Sequence, residues 1–190
     1  FTFGDTLKDT AVSTVGTLQD KGYDIALVSG DGDQTTREVG DVLGIRNAYG
    51  SRTPLDKAVF IQNLQENGKK VTMVGDGIND APALVQADLA MAVFSGSHLG
   101  KEAADITLMQ GNPDQILDFF NMAKMVNQKI HQNLIFSFLY NIISIPIAMS
   151  GLLTPIVAVC AMLLSSLSVT GNTMLLKRKY GSISRKYSRN

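Results

Sequence analysis

Two aspartates at the end of a largely apolar run are the strongest chemical signal in this chain. Asp76 follows the run Lys70–Val74, and Asp80 comes four residues later in Gly75-Asp76-Gly77-Ile78-Asn79-Asp80-Ala81-Pro82. We expect Asp76 at the carboxyl end of a buried strand and Asp80 about one helical turn beyond it. Carboxylate oxygens suit Mg²⁺, and glycines let the backbone approach a phosphate closely. The pattern favours a Mg²⁺ site beside a phosphate over two structural turn and capping aspartates.

A serine and a lysine complete a set that suits phosphate chemistry. Ser29 and Gly30 follow a second apolar run, so that a hydroxyl and a backbone amide are expected to face a phosphoryl oxygen. Lys57 lies at a predicted helix start after Thr53-Pro54-Leu55-Asp56, where its ammonium would neutralise phosphoryl charge. A Ser-Gly turn and a solvated surface lysine are the ordinary alternatives. The ordered set Ser29, Lys57 and Asp76 is more specific than any of its members.

The first 118 residues predict an α/β domain with a parallel sheet, because short apolar runs alternate with helical patterns. Ligands of such sheets bind at the carboxyl ends of the strands, where Ser29 and Asp76 are both expected. The predicted strands are Tyr23–Val28, Lys70–Val74, Leu89–Val93 and Ile106–Met109, and the predicted helices are Asp5–Gln19, Gln34–Leu43 and Pro54–Gln65.

Charge divides the chain into two unlike parts. Residues 1–118 contain all 17 acidic residues against nine Lys and Arg, a net charge of −8, whereas residues 119–190 contain eight Lys and Arg and no acid, a net charge of +8. Between Lys129 and Lys177, 47 residues carry no formal charge apart from His131 if protonated. That length suits two bilayer crossings, which we place at 134–153 and 156–176, on either side of Thr154-Pro155. The alternative is a buried helical hairpin, which 118 residues are too few to surround.

The ends of the apolar region indicate its orientation. Residues 177–190 carry six Lys or Arg and no acid, so the positive-inside tendency places this tail in the cytoplasm. Two crossings then put residues 1–130 on the same side, with 119–133 as a connecting helix. Because the chain starts at Phe1, we expect it to be a piece of a longer protein.

A few polar or soft side chains are expected within the apolar helices. They are Tyr140, Asn141, Met162, Ser165 and Ser166, of which Met162 and Ser166 share a helix face. Small hydroxyl residues commonly serve helix packing in bilayers, which is the competing interpretation. A thioether is a soft ligand that selects Cu⁺, and the lack of acidic residues in both spans favours a monovalent ion.

Together these motifs resemble those of heavy-metal-transporting P-type ATPases, specifically the copper(I) branch. Gly75 to Pro82 resembles the hinge motif of that family, Ser29-Gly30-Asp31 its Thr-Gly-Asp loop, and Pro54 to Lys57 its lysine segment. The resemblance implies an HAD-like (Rossmannoid) α/β domain at 1–118 followed by two transmembrane helices. The family's Asp-Lys-Thr-Gly-Thr run, nucleotide-binding domain, actuator domain and Cys-Pro-Cys helix are missing from the sequence, so the resemblance is to a C-terminal fragment.

The resemblance also implies roles for individual residues. Phosphoryl transfer from ATP would involve Ser29, Gly30, Asp31, Lys57, Asp76, Asn79 and Asp80, with Mg²⁺ at Asp76 and Asp80. Cu⁺ would be bound by Tyr140, Asn141, Met162 and Ser166. The expected partners are the rest of the ATPase chain, the lipid bilayer of a bacterial inner membrane and a copper chaperone, with no nucleic acid. The fragment alone is expected to be inactive.

Two other functions remain open from the sequence. One alternative to the transporter is a membrane-tethered HAD-type phosphatase with Asp5-Thr6-Leu7 as a faint nucleophile motif. The other is a truncated, non-catalytic membrane protein that binds metal or regulates. The phosphatase alternative is disfavoured because no apolar strand precedes Asp5 and only 24 residues separate it from Ser29.

Overall fold

The computed structural model describes residues 7–76, 79–93, 103–109, 111–151 and 155–187. The chain divides into two compact units, Phe1–Asp118 and Phe119–Asn190, which we describe separately. The helices are α1 (Ala11–Asp20), α2 (Asp33–Leu43), α3 (Pro54–Glu66), α4 (Ala81–Gln86), α5 (Asp114–Met149) and α6 (Pro155–Tyr187), and the strands are β1 (Ala26–Val28), β2 (Asn47–Tyr49), β3 (Thr72–Gly75), β4 (Leu89–Val93) and β5 (Ile106–Leu108).

The strands of the first unit are all parallel, as the sequence predicts. Strand β1 pairs with β2, with Val28 opposite Tyr49. Strand β4 lies between β3 and β5, with Gly75 opposite Ala92 and Val93 opposite Leu108. This arrangement confirms an α/β fold with flanking helices. Ser29 follows β1 and Asp76 follows β3, so both lie at carboxyl ends of strands as predicted.

Several elements differ from their predicted bounds. Strand β1 starts at Ala26 rather than Tyr23, and α1 starts at Ala11, since Leu7 to Thr10 are not helical. Asp5, where we expected the first helix to begin, lies outside the described residues. Strand β2 was not predicted, because Asn-Ala-Tyr has neither an apolar run nor a clear alternation.

Strand β4 forms the centre of the first unit's core. Ala90, Met91 and Ala92 are buried along it, and Leu84 of α4 is 1% exposed. Helix α3 packs against α4 and contributes Ile61, which is also buried. The core therefore fixes the two helices that begin beside the predicted phosphate site.

The second unit contains the long apolar helices. By length and composition, α5 is the one described helix that is apolar enough to cross a membrane, and the apolar part of α6 is the shorter segment Val159–Met174. Among the described residues there is thus one long candidate span and a shorter apolar segment. The two crossings and their positions stay a prediction.

Polar side chains join α5 and α6. The Lys129 ammonium donates to Asn172 Oδ1 at 2.6 Å, and Asn172 Nδ2 donates to Asn133 Oδ1 at 2.8 Å. Asn133 Nδ2 in turn donates to Thr173 at 3.3 Å. These contacts bring the start of the apolar part of α5 beside the later part of α6, which makes the pair an antiparallel hairpin.

Candidate functional site

A cavity of about 430 Å³ in the first unit collects all seven residues that the motifs suggest for phosphoryl transfer. Two further residues line it: Pro54, the first residue of the lysine segment, and Arg52, which the sequence motifs do not include. Arg52 lies five residues before Lys57, so proximity to that lysine was the available signal. The lining residues are Ser29, Gly30, Asp31, Arg52, Pro54, Lys57, Asp76, Asn79 and Asp80.

An ion pair connects two of these residues across the cavity wall. Lys57 Nζ lies 2.6 Å from Asp80 Oδ1, and each side chain is 12% exposed. Lys57 is placed by the first turn of α3, where Thr53 and Asp56 form a capping box: the Asp56 amide donates to Thr53 Oγ1 at 3.2 Å and the Thr53 amide donates to Asp56 Oδ2 at 2.9 Å. The cap fixes the helix start and so directs Lys57 toward Asp80.

The Asp80 carboxylate also contacts the end of β3. The Asp76 amide donates to Asp80 Oδ2 at 3.4 Å, a long hydrogen bond. A Cβ added at Gly75 would lie 2.8 Å from Asp80 Cβ, closer than side-chain carbons approach, so only glycine fits there. Asp80 is therefore held between Lys57 and the strand end. Gly77 and Ile78, which belong to the same motif, lie outside the described residues.

The Ser29 loop is closed by its own hydrogen bonds. Ser29 Oγ donates to Asp31 Oδ2 at 2.8 Å and accepts from the Asp31 amide at 3.1 Å. The Ser29 amide donates to Tyr49 O at 2.9 Å, and the Arg52 amide donates to Ser29 O at the same distance. These backbone bonds tie the ends of β1 and β2 together. They give Ser29, Gly30 and Arg52 fixed positions relative to one another.

Of the two carboxylates suggested for Mg²⁺, Asp76 meets the requirements of a magnesium ligand better than Asp80. Magnesium usually takes one or two carboxylates and completes its shell with water and substrate phosphate oxygens. Asp76 is exposed at the cavity and fits that description. Asp80 has one oxygen beside Lys57 and the other beside the Asp76 amide, so it is better suited to position its neighbours than to bind a metal. The described residues include no group of three or more His, Cys, Asp or Glu side chains placed to hold a metal ion, so phosphate and water oxygens would have to supply the other ligands.

A second cavity, of about 490 Å³, lies between the helices of the second unit and collects all four residues suggested for Cu⁺. Met162 is its one sulfur-containing lining residue, and most of the other polar atoms are hydroxyl oxygens. The residues that line it are Ser137, Tyr140, Asn141, Ser144, Ile145, Ala148, Ala161, Met162, Ser165 and Ser166.

The Tyr140 hydroxyl has a defined partner. Its oxygen lies 3.0 Å from Ser168 Oγ, and Ser168 Oγ donates to Leu164 O at 2.8 Å. A serine hydroxyl has one proton, so the proton between these two side chains comes from Tyr140. Tyr140 is thus the donor, and the lone pairs of its oxygen remain available to a cation.

Two carboxyl groups of the first unit have clearly altered acidity. Hydrogen bonds from the Thr53 side chain and then its backbone amide hold the pKa of Asp56 below its usual value, with a smaller contribution from the Arg52 charge. The Lys70 ammonium, the Val71 amide and Gln65 lower the pKa of Asp88. Asp56 caps the helix that carries Lys57, so its charge matters for the site indirectly.

Comparisons with known proteins agree with this geometry. The family model of haloacid dehalogenase-like hydrolases matches residues 1–88. A probable cation-transporting ATPase of Haemophilus influenzae is 43% identical over 178 residues, which are 94% of this chain and 25% of that protein. A copper-exporting P-type ATPase of Staphylococcus aureus is 44% identical over 174 residues, 92% of this chain and 22% of that protein. The crystal structure of a zinc-transporting PIB-type ATPase in the E2.Pi state is 27% identical with a TM-score of 0.85, covering 90% of this chain and 28% of the solved chain.

The first unit therefore has an HAD-like fold of parallel strands with flanking helices. Within that class the chain is a homologue of the metal-transporting P-type ATPases, which confirms the resemblance of its motifs. It spans about a quarter of the length of the relatives it matches.

Proposed function

We propose that this chain works as part of a longer P-type ATPase polypeptide that couples ATP-dependent aspartyl phosphorylation to the transport of Cu⁺. The observation that carries the proposal is the cavity that joins Ser29, Lys57 and Asp76, three residues far apart in sequence, at the carboxyl ends of parallel strands. The phosphorylated aspartate, the nucleotide-binding domain and the actuator domain would come from the remaining three quarters of the polypeptide.

In this proposal each cavity residue has a distinct task. Phosphoryl transfer is mainly a matter of positioning and charge stabilisation, so fixed donors are sufficient. The Gly30 amide binds a phosphoryl oxygen, and the Ser29 hydroxyl does so when its proton turns from Asp31 Oδ2 to the ligand. Lys57 neutralises charge while Asp80 holds it in place. Asp76 would hold Mg²⁺, with Asn79 beside it, and the metal would neutralise charge on the phosphoryl group when bound.

The choice of copper follows from the second cavity. Residues 119–190 include no Asp or Glu, so no carboxylate of the second unit compensates the charge of a divalent ion. Met162 supplies a soft ligand, and Tyr140, Asn141 and Ser166 supply neutral oxygens. One structural relative is a zinc transporter and one sequence relative is a copper exporter, so the donor chemistry is the argument that separates the two metals here.

The same proposal places the chain in a membrane. The basic residues after Lys177 would lie in the cytoplasm of a bacterium, together with the first unit, and the apolar helices would cross the inner membrane. A cytoplasmic copper chaperone is the expected source of the ion, because free Cu⁺ is bound by soft ligands wherever they are available.

Metal-stimulated ATP hydrolysis tests the proposal directly. In the complete polypeptide, Cu⁺ should stimulate hydrolysis and Zn²⁺ should not, and Met162→Leu, which keeps the volume but removes the sulfur, should raise the Cu⁺ concentration for half-maximal stimulation. Equal stimulation by Zn²⁺, or a Met162→Leu variant with unchanged Cu⁺ response, would refute the choice of metal.

A further inference from the structure

Arg52 lies in the phosphate cavity without a role in the set described so far. It lines the same 430 Å³ space as Lys57 and Asp76, and it precedes the cap of α3 by one residue. The described residues place no carboxylate in salt-bridge contact with its guanidinium group. Arg52 thus offers the cavity a cation whose hydrogen-bonding groups are not taken up by an acid.

The charged side chains of the cavity carry a net negative charge that Arg52 partly offsets. Three carboxylates, Asp31, Asp76 and Asp80, face two cationic side chains, Arg52 and Lys57, so the lining has a net charge of −1. Lys57 is already paired with Asp80 at 2.6 Å. Without Arg52 the lining would have a net charge of −2, which repels a phosphoryl group. Among the side chains that line the cavity, Arg52 is therefore the cation best placed to offset the excess negative charge, in addition to any metal held by Asp76.

An aromatic ring lies beside the guanidinium group. Arg52 Cζ lies 6.0 Å from the centroid of the Tyr49 ring, and that ring packs on Phe60 with centroids 5.2 Å apart. This distance is the outer limit of a cation–π contact, so the ring favours a guanidinium on this side of the cavity without taking up its N–H donors. The Arg52 amide also donates a hydrogen bond to Ser29 O, so the backbones of Arg52 and Ser29 are fixed relative to each other.

We infer that Arg52 is a further phosphate-binding residue whose guanidinium donates hydrogen bonds to oxygens of the phosphoryl group in this cavity. The inference rests on the proposed phosphoryl-transfer function of the same site. It concerns the phosphoryl group itself, whether this belongs to ATP or to the phosphorylated enzyme, and not the base or ribose of the nucleotide.

Inhibition by vanadate tests the inference, because vanadate mimics a phosphoryl group and contains no nucleotide. In the complete polypeptide, Arg52→Gln should raise the half-inhibitory vanadate concentration about tenfold or more, the usual effect of losing a charge-assisted hydrogen bond. The half-inhibitory concentration for Arg52→Lys should lie between those of the wild type and Arg52→Gln, since lysine keeps the positive charge but not the paired N–H donors of the guanidinium group. Arg46→Gln, an exposed arginine at the opposite end of β2 and outside the cavity, is the matched control and should change nothing.

The outcomes separate this inference from the function on which it rests. If Asp76→Asn abolishes ATP hydrolysis while Arg52→Gln leaves the half-inhibitory vanadate concentration unchanged, the inference about Arg52 is wrong and the phosphate site stands. If Arg52→Gln raises the KM for ATP without altering vanadate inhibition, Arg52 contacts another part of the nucleotide and the inference is overturned. If Asp76→Asn hydrolyses ATP at the normal rate and Arg52→Gln does not affect vanadate inhibition, the proposed function fails as well. Thermal unfolding of each variant shows that a change in inhibition does not come from misfolding.

Discussion

Lys57 at the start of α3 and Asp80 at the start of α4 form an ion pair of 2.6 Å in which each side chain is only 12% exposed. The pair connects two helices that are separated by a strand in sequence and packed together in space. Because the second oxygen of Asp80 faces the Asp76 amide, one carboxylate fixes both the lysine and the end of β3. The geometry of the phosphate cavity therefore depends on this contact.

Removal of Lys57 alone should destabilise the fold. Lys57→Met leaves the Asp80 carboxylate without its cation in a largely buried position, and we expect a loss of about 2–4 kcal/mol in the free energy of unfolding. The double variant Lys57→Met/Asp80→Asn should be more stable than the single one, because it removes the uncompensated charge. Urea unfolding of the chain in detergent measures both.

The exposed pair of Lys69 and Asp24 is the matched control for that prediction. Its side chains are 60% and 84% exposed at a separation of 2.9 Å, so Lys69→Met should change the free energy of unfolding by less than about 1 kcal/mol. A loss at Lys57 no larger than that at Lys69 would contradict a structural role for the buried pair.

Gly75→Ala should disturb the site locally. The added methyl group would meet the side chain of Asp80, and the strand end or the carboxylate must shift to relieve the contact. We expect a destabilisation of about 1–3 kcal/mol, typical of overpacking, and loss of ATP hydrolysis in the complete polypeptide. Gly16→Ala is the control, since a Cβ there meets nothing within 4 Å. Full activity in Gly75→Ala would mean that Asp80 need not occupy its observed position.

The capping box should make stability depend on pH. The pKa of Asp56 is lower when folded than its ordinary 3.8, so the unfolded chain takes up its proton first as the pH falls. The stabilisation from Asp56 is thus complete above the ordinary value and is lost as the pH falls toward the lowered one. Asp56→Asn should reduce the acid sensitivity of thermal unfolding below about pH 4. An unchanged acid response in this variant would show that the cap has no such effect.

The sequence was sufficient for those parts of the fold that follow from local pattern. Strand β4 coincides with its predicted bounds because it is a buried apolar run, and Pro54 with Thr53 marked the start of α3. Strand β2 has no such pattern. It forms because pairing with β1 and the packing of Tyr49 on Phe60 override weak local preference, which sequence alone does not reveal.

The candidate site was predictable where motifs specify it and not where packing does. Ser29, Lys57 and Asp76 were selected by motif and line one cavity, although their roles stay predictions. Arg52 was missed because its nearness to Lys57 in sequence does not by itself distinguish it from a surface arginine; its place at the cavity follows from the backbone bond to Ser29. Ser168 was missed for the same reason, since only the pairing of the two helices brings it to Tyr140.

Ser168→Ala should lower the Cu⁺ affinity of the proposed site without replacing any of its proposed ligands. The variant removes the acceptor that takes the Tyr140 proton, so the phenol is no longer oriented toward Ser168. We expect the Cu⁺ concentration for half-maximal stimulation of ATP hydrolysis to rise about threefold to tenfold, with little change in the maximal rate. Ser168→Thr, which keeps the hydroxyl, should restore most of the affinity.

Ser150→Ala is the control for this prediction. The Ser150 hydroxyl also donates to a backbone carbonyl, that of Ile147 at 2.8 Å, but it lies outside the cavity. Its replacement should leave the Cu⁺ response unchanged. Equal effects at Ser150 and Ser168 would indicate a general loss of helix packing rather than misplacement of Tyr140.

The central claim, that a phosphate site at Asp76 is coupled to a soft-metal site at Met162, is tested most directly by the acid-stable phosphoenzyme formed from radiolabelled ATP by the complete polypeptide. The account predicts a phosphoenzyme whose level depends on Cu⁺ in the wild type, loses that dependence in Met162→Leu, and is abolished in Asp76→Ala. A normal phosphoenzyme level in Asp76→Ala, or one that does not respond to Cu⁺ in the wild type, would contradict it.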